Sequence, residues 1–123
     1  MPEDIRFYLI SLVNNFRREN GKPPLSFDEA LCAFAKAHTE HMANTGRLEH
    51  APKHFRSGVG ENINYIEGEE HPYQLAKAMF DDWVRSKTHK DIMLNAKHAA
   101  GIDVAHRGIG GNRKKLFMTG RFK

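Results

Sequence analysis

The chain has 123 residues and is 40% hydrophobic, which predicts one folded domain over residues 1–123 with a single core. Its net charge is only +4 and its basic residues are scattered, so the sequence predicts no nucleic-acid partner. The only cysteine, Cys32, excludes an intramolecular disulfide. It lies in an alanine-rich helical pattern, where we predict a small buried apolar side chain.

The sequence shows neither the apolar pattern of a membrane span nor the basic start of a secretory signal. No apolar run is long enough to cross a bilayer, so we predict no transmembrane segment. The first four residues, Met1-Pro2-Glu3-Asp4, are acidic, unlike the basic start of a secretory signal. Either the protein is cytoplasmic or its export signal lies outside this sequence.

The first helix is predicted over residues 3–20. Its apolar side chains recur at intervals of three and four residues, which gives one stripe for a core. These are Ile5, Tyr8, Leu9, Leu12, Val13 and Phe16. Gly21 then ends the helix, with two prolines behind it.

A second helix is predicted over residues 28–45, after a short connector at residues 25–28. Ser26 and Asp28 are both candidate N-caps, because their side chains can accept hydrogen bonds from the first turn. Gly46 is the predicted stop.

The middle of the chain combines a loop, a short extended segment and two helical segments. Residues 47–60 contain proline and glycine without periodicity, which predicts a surface loop that carries function. Residues 62–66 predict an extended segment. Pro72 suits a first helical turn, and we predict a helix from there to about residue 84. A helical turn follows over residues 89–94.

Two strands are predicted at the end of the chain, over residues 101–106 and 115–122. Ile102 and Val104 alternate onto one face of the first strand. In the second strand, Leu116, Met118 and Gly120 face away from Phe117, Thr119 and Arg121. A glycine-rich turn around residues 108–112 joins the two strands.

Three separated residues are candidates for chemistry: His50, Glu61 and His89. Imidazole and carboxylate groups bind metals and transfer protons. They come from three segments, so only the fold can bring them together.

The residues around this triad resemble the CAP superfamily, the cysteine-rich secretory, antigen 5 and pathogenesis-related-1 domain, in its disulfide-free bacterial form. The resemblance covers nearly the whole chain and rests on the order of several short motifs. These are Asn14-Asn15-Phe16-Arg17, Gly21, Pro24, Leu25, Leu31, Ala35, His38, His50, Gly60-Glu61-Asn62-Ile63, Trp83-x-x-Ser86-x-x-His89, Leu94, Gly101-Ile102, Thr119 and Phe122.

The resemblance implies an α+β fold, a three-layer α-β-α sandwich with a central antiparallel sheet. It also implies a cleft built from His50, Glu61 and His89, with Asn62 beside them. Ser86 stands where eukaryotic members often carry a second glutamate, which weakens any mechanism that needs two carboxylates. For location, it favours an extracellular or periplasmic protein, with the cytoplasm as the alternative.

These residues are compatible with three functions. The first is a binding module in which His50 and His89 hold Zn²⁺ or another divalent cation weakly, or in which the cleft takes a small organic ligand and no cofactor. The family's link with sterols and lipids adds a lipid ligand to this hypothesis. The second is a hydrolase with Glu61 as general base and the histidines as partners. The third is a protein-interaction domain whose cleft has no function. The oligomeric state is left open.

Overall fold

Four helices and four strands form in the part of the chain that the computed structural model describes, residues 2–52 and 59–123. In chain order they are α1 (Pro2–Glu19), β1 (Ser26–Phe27), α2 (Glu29–Thr45), β2 (Gly60–Gly68), α3 (Pro72–Arg85), α4 (Lys87–Asn95), β3 (Ala99–Gly110) and β4 (Arg113–Phe122). Residues 53–58 of the predicted loop lie outside the described residues. All the predicted helices and strands are present, and each of the three long strands is longer than its predicted segment.

The strands form one sheet in the order β1-β3-β4-β2. The three long strands run antiparallel, as predicted. β1 adds a parallel edge of two residues, with Ser26 opposite Ala99. The sequence predicts only a connector here, because two residues are too few to show a strand periodicity.

The helices cover both faces of the sheet. α2 packs on one face, against β3 and β4, while α1, α3 and α4 lie on the other. The larger apolar core lies between the sheet and these three helices, and it contains Leu9, Val13, Leu75, Met79 and Trp83. This arrangement is the α-β-α sandwich that the resemblance implied.

Local signals fix the helix ends. The Asp28 side chain accepts a hydrogen bond from the Leu31 N–H at 2.9 Å, so Asp28 rather than Ser26 is the N-cap of α2. Gly46 ends α2 with φ +73°, a left-handed conformation that glycine adopts without a steric penalty. Cys32, predicted to be buried, is half-buried at a surface cavity between α1 and α2.

Side chains alternate between the two faces of the sheet along β2 and β4, and this alternation determines which of them lie on the same face. On β4, Leu116 and Met118 enter the larger core, while Phe117 belongs to a small cluster under α2. Arg121, four residues further along the strand, lies on the same face as that cluster. The register pairs it with Glu61 of β2.

Candidate functional site

The five predicted site residues lie around the beginning of β2, one of the two edge strands of the sheet. Glu61 and Asn62 are on the strand itself. His50 lies in the segment between α2 and β2, while Ser86 and His89 lie at the junction of α3 and α4. Hydrogen bonds join them into two neighbouring groups, one around Glu61 and one around His89.

Glu61 is held at both carboxylate oxygens. Its side chain is fully buried, with 0% exposure. His50 Nδ1 lies 2.8 Å from Oε1, and the Ala51 N–H donates to the same oxygen at 3.0 Å. Arg121 donates from Nη1 to Oε2 at 2.7 Å. Burial pushes the pKa of Glu61 upward, but the hydrogen bonds from His50, Ala51 and Arg121 outweigh it, so the pKa lies below its ordinary value.

The contact with Glu61 fixes the proton on His50. An ionised carboxylate can only accept hydrogen bonds, so His50 Nδ1 must carry the hydrogen and donate it. In the neutral ring the lone pair is then on Nε2. The His50 side chain is 42% exposed, so its ring lies between the buried carboxylate and solvent.

His89 is oriented by three contacts from the other side of β2. Its Nδ1 lies 2.8 Å from Ser86 Oγ, and its backbone oxygen accepts from Asn62 Nδ2 at 3.0 Å. The ring stacks on Trp83 at 6.5 Å between centroids with an interplanar angle of 14°. Trp83 itself is buried in the larger core and donates from Nε1 to the Ile63 oxygen at 3.3 Å.

His50 acts electrostatically on His89. Burial lowers the pKa of His89, and repulsion by the positive charge of His50 lowers it further. Both effects favour the neutral form of His89. A neutral imidazole is the form that binds a metal ion.

Arg121 is the site residue that sequence reasoning missed. The sequence predicts it only as a strand residue, yet its side chain is 3% exposed and completes the environment of Glu61. The guanidinium also lies over the Phe34 ring, 4.1 Å from its centroid. The alternation of β4 could have predicted the face of the sheet on which Arg121 lies. Identifying Glu61 as its partner also required the register between β2 and β4.

His38 supports the same region from α2. It is buried, and its Nε2 lies 2.6 Å from the backbone oxygen of Glu49, next to His50. The family motif includes His38 without assigning it a contact, and the structure places it under the segment that carries His50.

No group of three or more histidine, cysteine, aspartate or glutamate side chains within residues 2–52 and 59–123 has the geometry to hold a metal ion. The candidate site contains two histidines, His50 and His89, and Nδ1 of each ring makes a hydrogen-bond contact. The chemistry of His50 fits a cation bound through Nε2, because metal-bound histidines usually donate their other ring N–H to a carboxylate. His50 and Glu61 have this arrangement.

Comparison with known proteins agrees with the motifs and the fold. The sequence profile of CAP, the cysteine-rich secretory protein family, matches residues 10–110. The chain belongs to the CAP family.

Two relatives share part of this CAP sequence. Human Golgi-associated plant pathogenesis-related protein 1 is 31% identical over 70 residues, which cover 57% of this chain and 43% of the relative. The uncharacterized protein YkwD of Bacillus subtilis (strain 168) is 26% identical over 125 residues, covering 89% of this chain and 44% of YkwD. The chain thus spans less than half the length of these relatives.

A solved structure shares the CAP fold. An outer surface protein from Borrelia burgdorferi superimposes with a TM-score of 0.64 over 100% of this chain and 99% of that one. The identity is 13%, so this likeness concerns the fold alone. Among the described residues, no helix is both long and apolar enough to cross a membrane.

Proposed function

We propose that this CAP domain is a binding module whose cleft holds a divalent cation weakly, Zn²⁺ being the first candidate, through Nε2 of His50 and of His89. The observation that carries the proposal is the contact between His50 Nδ1 and the buried carboxylate of Glu61 at 2.8 Å. It fixes the proton on Nδ1 and so gives Nε2 the lone pair. The contact between His89 Nδ1 and Ser86 Oγ orients the second ring, but a hydroxyl can donate or accept, so this contact does not set the tautomer of His89.

A two-histidine site is expected to bind weakly and to leave coordination positions for water or a ligand. Zinc sites in enzymes usually have three protein ligands, and structural sites have four. When bound, the cation would act as a Lewis acid toward an oxygen atom of a small ligand. The protein's own part is to orient the two rings.

Glu61 is poorly suited to the alternative role of general base. A base must accept a proton from the reacting group, but the Glu61 carboxylate already accepts from His50, Ala51 and Arg121. Its lowered pKa also makes it a weaker proton acceptor. These contacts support a positioning role and favour a binding module over a hydrolase.

Calorimetric titration with Zn²⁺ tests the proposal. We expect about one equivalent to bind to the wild type and His50→Ala/His89→Ala to lose that binding, because the pair supplies the protein ligands. The matched control is His98→Ala/His106→Ala, since both of these histidines are exposed and lie outside the cleft. Equal binding by the wild type and the cleft variant would contradict the site.

The same titration should depend on pH. Protons compete with the metal for imidazole, so affinity should fall as the pH drops below about 6.5. The lowered pKa of His89 keeps that ring neutral further into the acid range than an ordinary histidine. An affinity that is the same at about pH 7.5 and about pH 5.5, on either side of the ordinary histidine pKa, would speak against histidine ligands.

A second candidate function, binding of an apolar ligand such as a sterol or lipid, is favoured by a separate cavity. The cavity measures about 350 Å³ and lies on the α1 and α3 side of the sheet. It is lined by Ile5, His71, Pro72, Val104, His106, Lys114 and Leu116. None of these residues belongs to the cleft, so we propose that an apolar ligand would bind independently of the histidine pair.

Binding of a fluorescent sterol would test this cavity. We expect His106→Trp to weaken binding by about tenfold or more, because the indole would fill the mouth of the cavity. His98→Trp, an exposed position elsewhere, is the control. Binding should survive in His50→Ala/His89→Ala, and its loss there would assign the sterol to the cleft instead.

An extracellular or periplasmic location is part of the proposal. Its support is the CAP profile, which is that of the cysteine-rich secretory protein family. The structural neighbour from Borrelia burgdorferi is described as an outer surface protein.

A further inference from the structure

The geometry points to Arg121 as the positioning residue of the cleft: through Glu61 it holds His50 as the tautomer that carries its lone pair on Nε2. The chain of contacts is direct. Arg121 Nη1 donates to Glu61 Oε2 at 2.7 Å, and the opposite oxygen, Oε1, lies 2.8 Å from His50 Nδ1. The carboxylate therefore has one oxygen for the arginine and one for the histidine.

The Arg121 side chain is buried where it contacts Glu61. Its side chain is 3% exposed, and its Nε is buried without a partner within the described residues. Burying a guanidinium in this way costs free energy that an apolar side chain would not. The hydrogen bond to Glu61 gives this buried cation a polar partner, and the guanidinium also lies over the Phe34 ring.

Within the described residues, Arg121 is the side chain that donates to Oε2 of Glu61. The Ala51 N–H and the His50 ring both contact the other oxygen, Oε1. Arg121 supplies the second anchor, from the strand directly opposite Glu61 in the register. With both anchors, the acceptor for His50 Nδ1 is fixed in place before any ligand arrives.

Nitrogen-15 NMR of the histidine rings in metal-free protein tests this inference directly. In the wild type we expect His50 to be predominantly the Nδ1–H tautomer. Arg121→Gln should raise the population of the Nε2–H tautomer, because the acceptor is no longer held. Arg121→Lys, which keeps the positive charge, should restore the wild-type tautomer at least in part.

The effect on metal binding rests on the proposed function and is measured separately. We expect Arg121→Gln to bind Zn²⁺ about 10- to 100-fold more weakly, the usual effect of losing a group that orients a metal ligand. A wild type that binds no Zn²⁺ but shows the tautomer change would remove the metal proposal and leave the role of Arg121 intact.

The inference is overturned if Arg121→Gln folds and keeps the wild-type tautomer at His50, whatever its affinity for Zn²⁺. If Arg121→Gln does not fold, Phe34→Leu decides instead. That change keeps the ion pair and removes the ring that supports the guanidinium. It should give a smaller shift of the same kind, and no shift would overturn the inference.

Discussion

Arg121→Met should destabilise the protein by about 3–5 kcal/mol, because it leaves the carboxylate of Glu61 buried without its cation. Both partners of this ion pair are almost completely inaccessible, at 3% and 0% side-chain exposure. The expected loss greatly exceeds that from exposed pairs such as Lys77–Asp81. Urea unfolding at neutral pH measures it.

The double variant Arg121→Met/Glu61→Gln separates the ion pair from packing. Once the carboxylate is a neutral amide, the missing cation matters less, so the double variant should lose less stability than the two single variants combined. We expect a coupling of about 2 kcal/mol between the two positions. Losses that simply add would mean that Arg121 stabilises the fold through its contact area, not through Glu61.

Gly101→Ala should cost about 3 kcal/mol or more of unfolding free energy, because α2 crosses β3 too closely for a side chain. A Cβ at this position would lie 2.2 Å from the Leu31 carbonyl carbon and 2.3 Å from the Cys32 nitrogen. These are backbone atoms, so the whole helix would have to move. Thermal and urea unfolding both measure the effect.

Gly108→Ala is the matched control, since it changes the same residue type in the same strand. No atom lies within 4 Å of a Cβ built there. We expect a change within about 0.5 kcal/mol. A similar loss at both positions would mean that the flexibility of glycine, and not the approach of α2, decides the outcome at Gly101.

Much of the fold could be predicted because its signals are local. The apolar stripe of α1, the acceptor Asp28 and the stop at Gly46 each act within a few residues of their own position. The strand β1 could not be predicted in this way. It exists because Ser26 and Phe27 lie beside Ala99 and Ala100 at the start of β3, which is distant along the chain.

Some residues of the candidate site could likewise be predicted from local sequence, and others could not. His50, Glu61 and His89 are predictable because their neighbours resemble the motifs of a family. Arg121 is not, because its role depends on the register that pairs residue 61 with residue 121. The sequence also does not reveal which groups donate hydrogen bonds to the Glu61 carboxylate. The same carboxylate fits a metal ligand, a general base or a positioning group until its three donors are known.

A crystal structure of the protein soaked in Zn²⁺, with anomalous diffraction recorded at the zinc edge, tests the central claim most directly. The account predicts one peak about 2.1 Å from Nε2 of both His50 and His89, with Glu61 still bound to Arg121. A zinc ion coordinated by Glu61 in place of a histidine, or no peak in the cleft at a concentration that saturates the protein in solution, would contradict it.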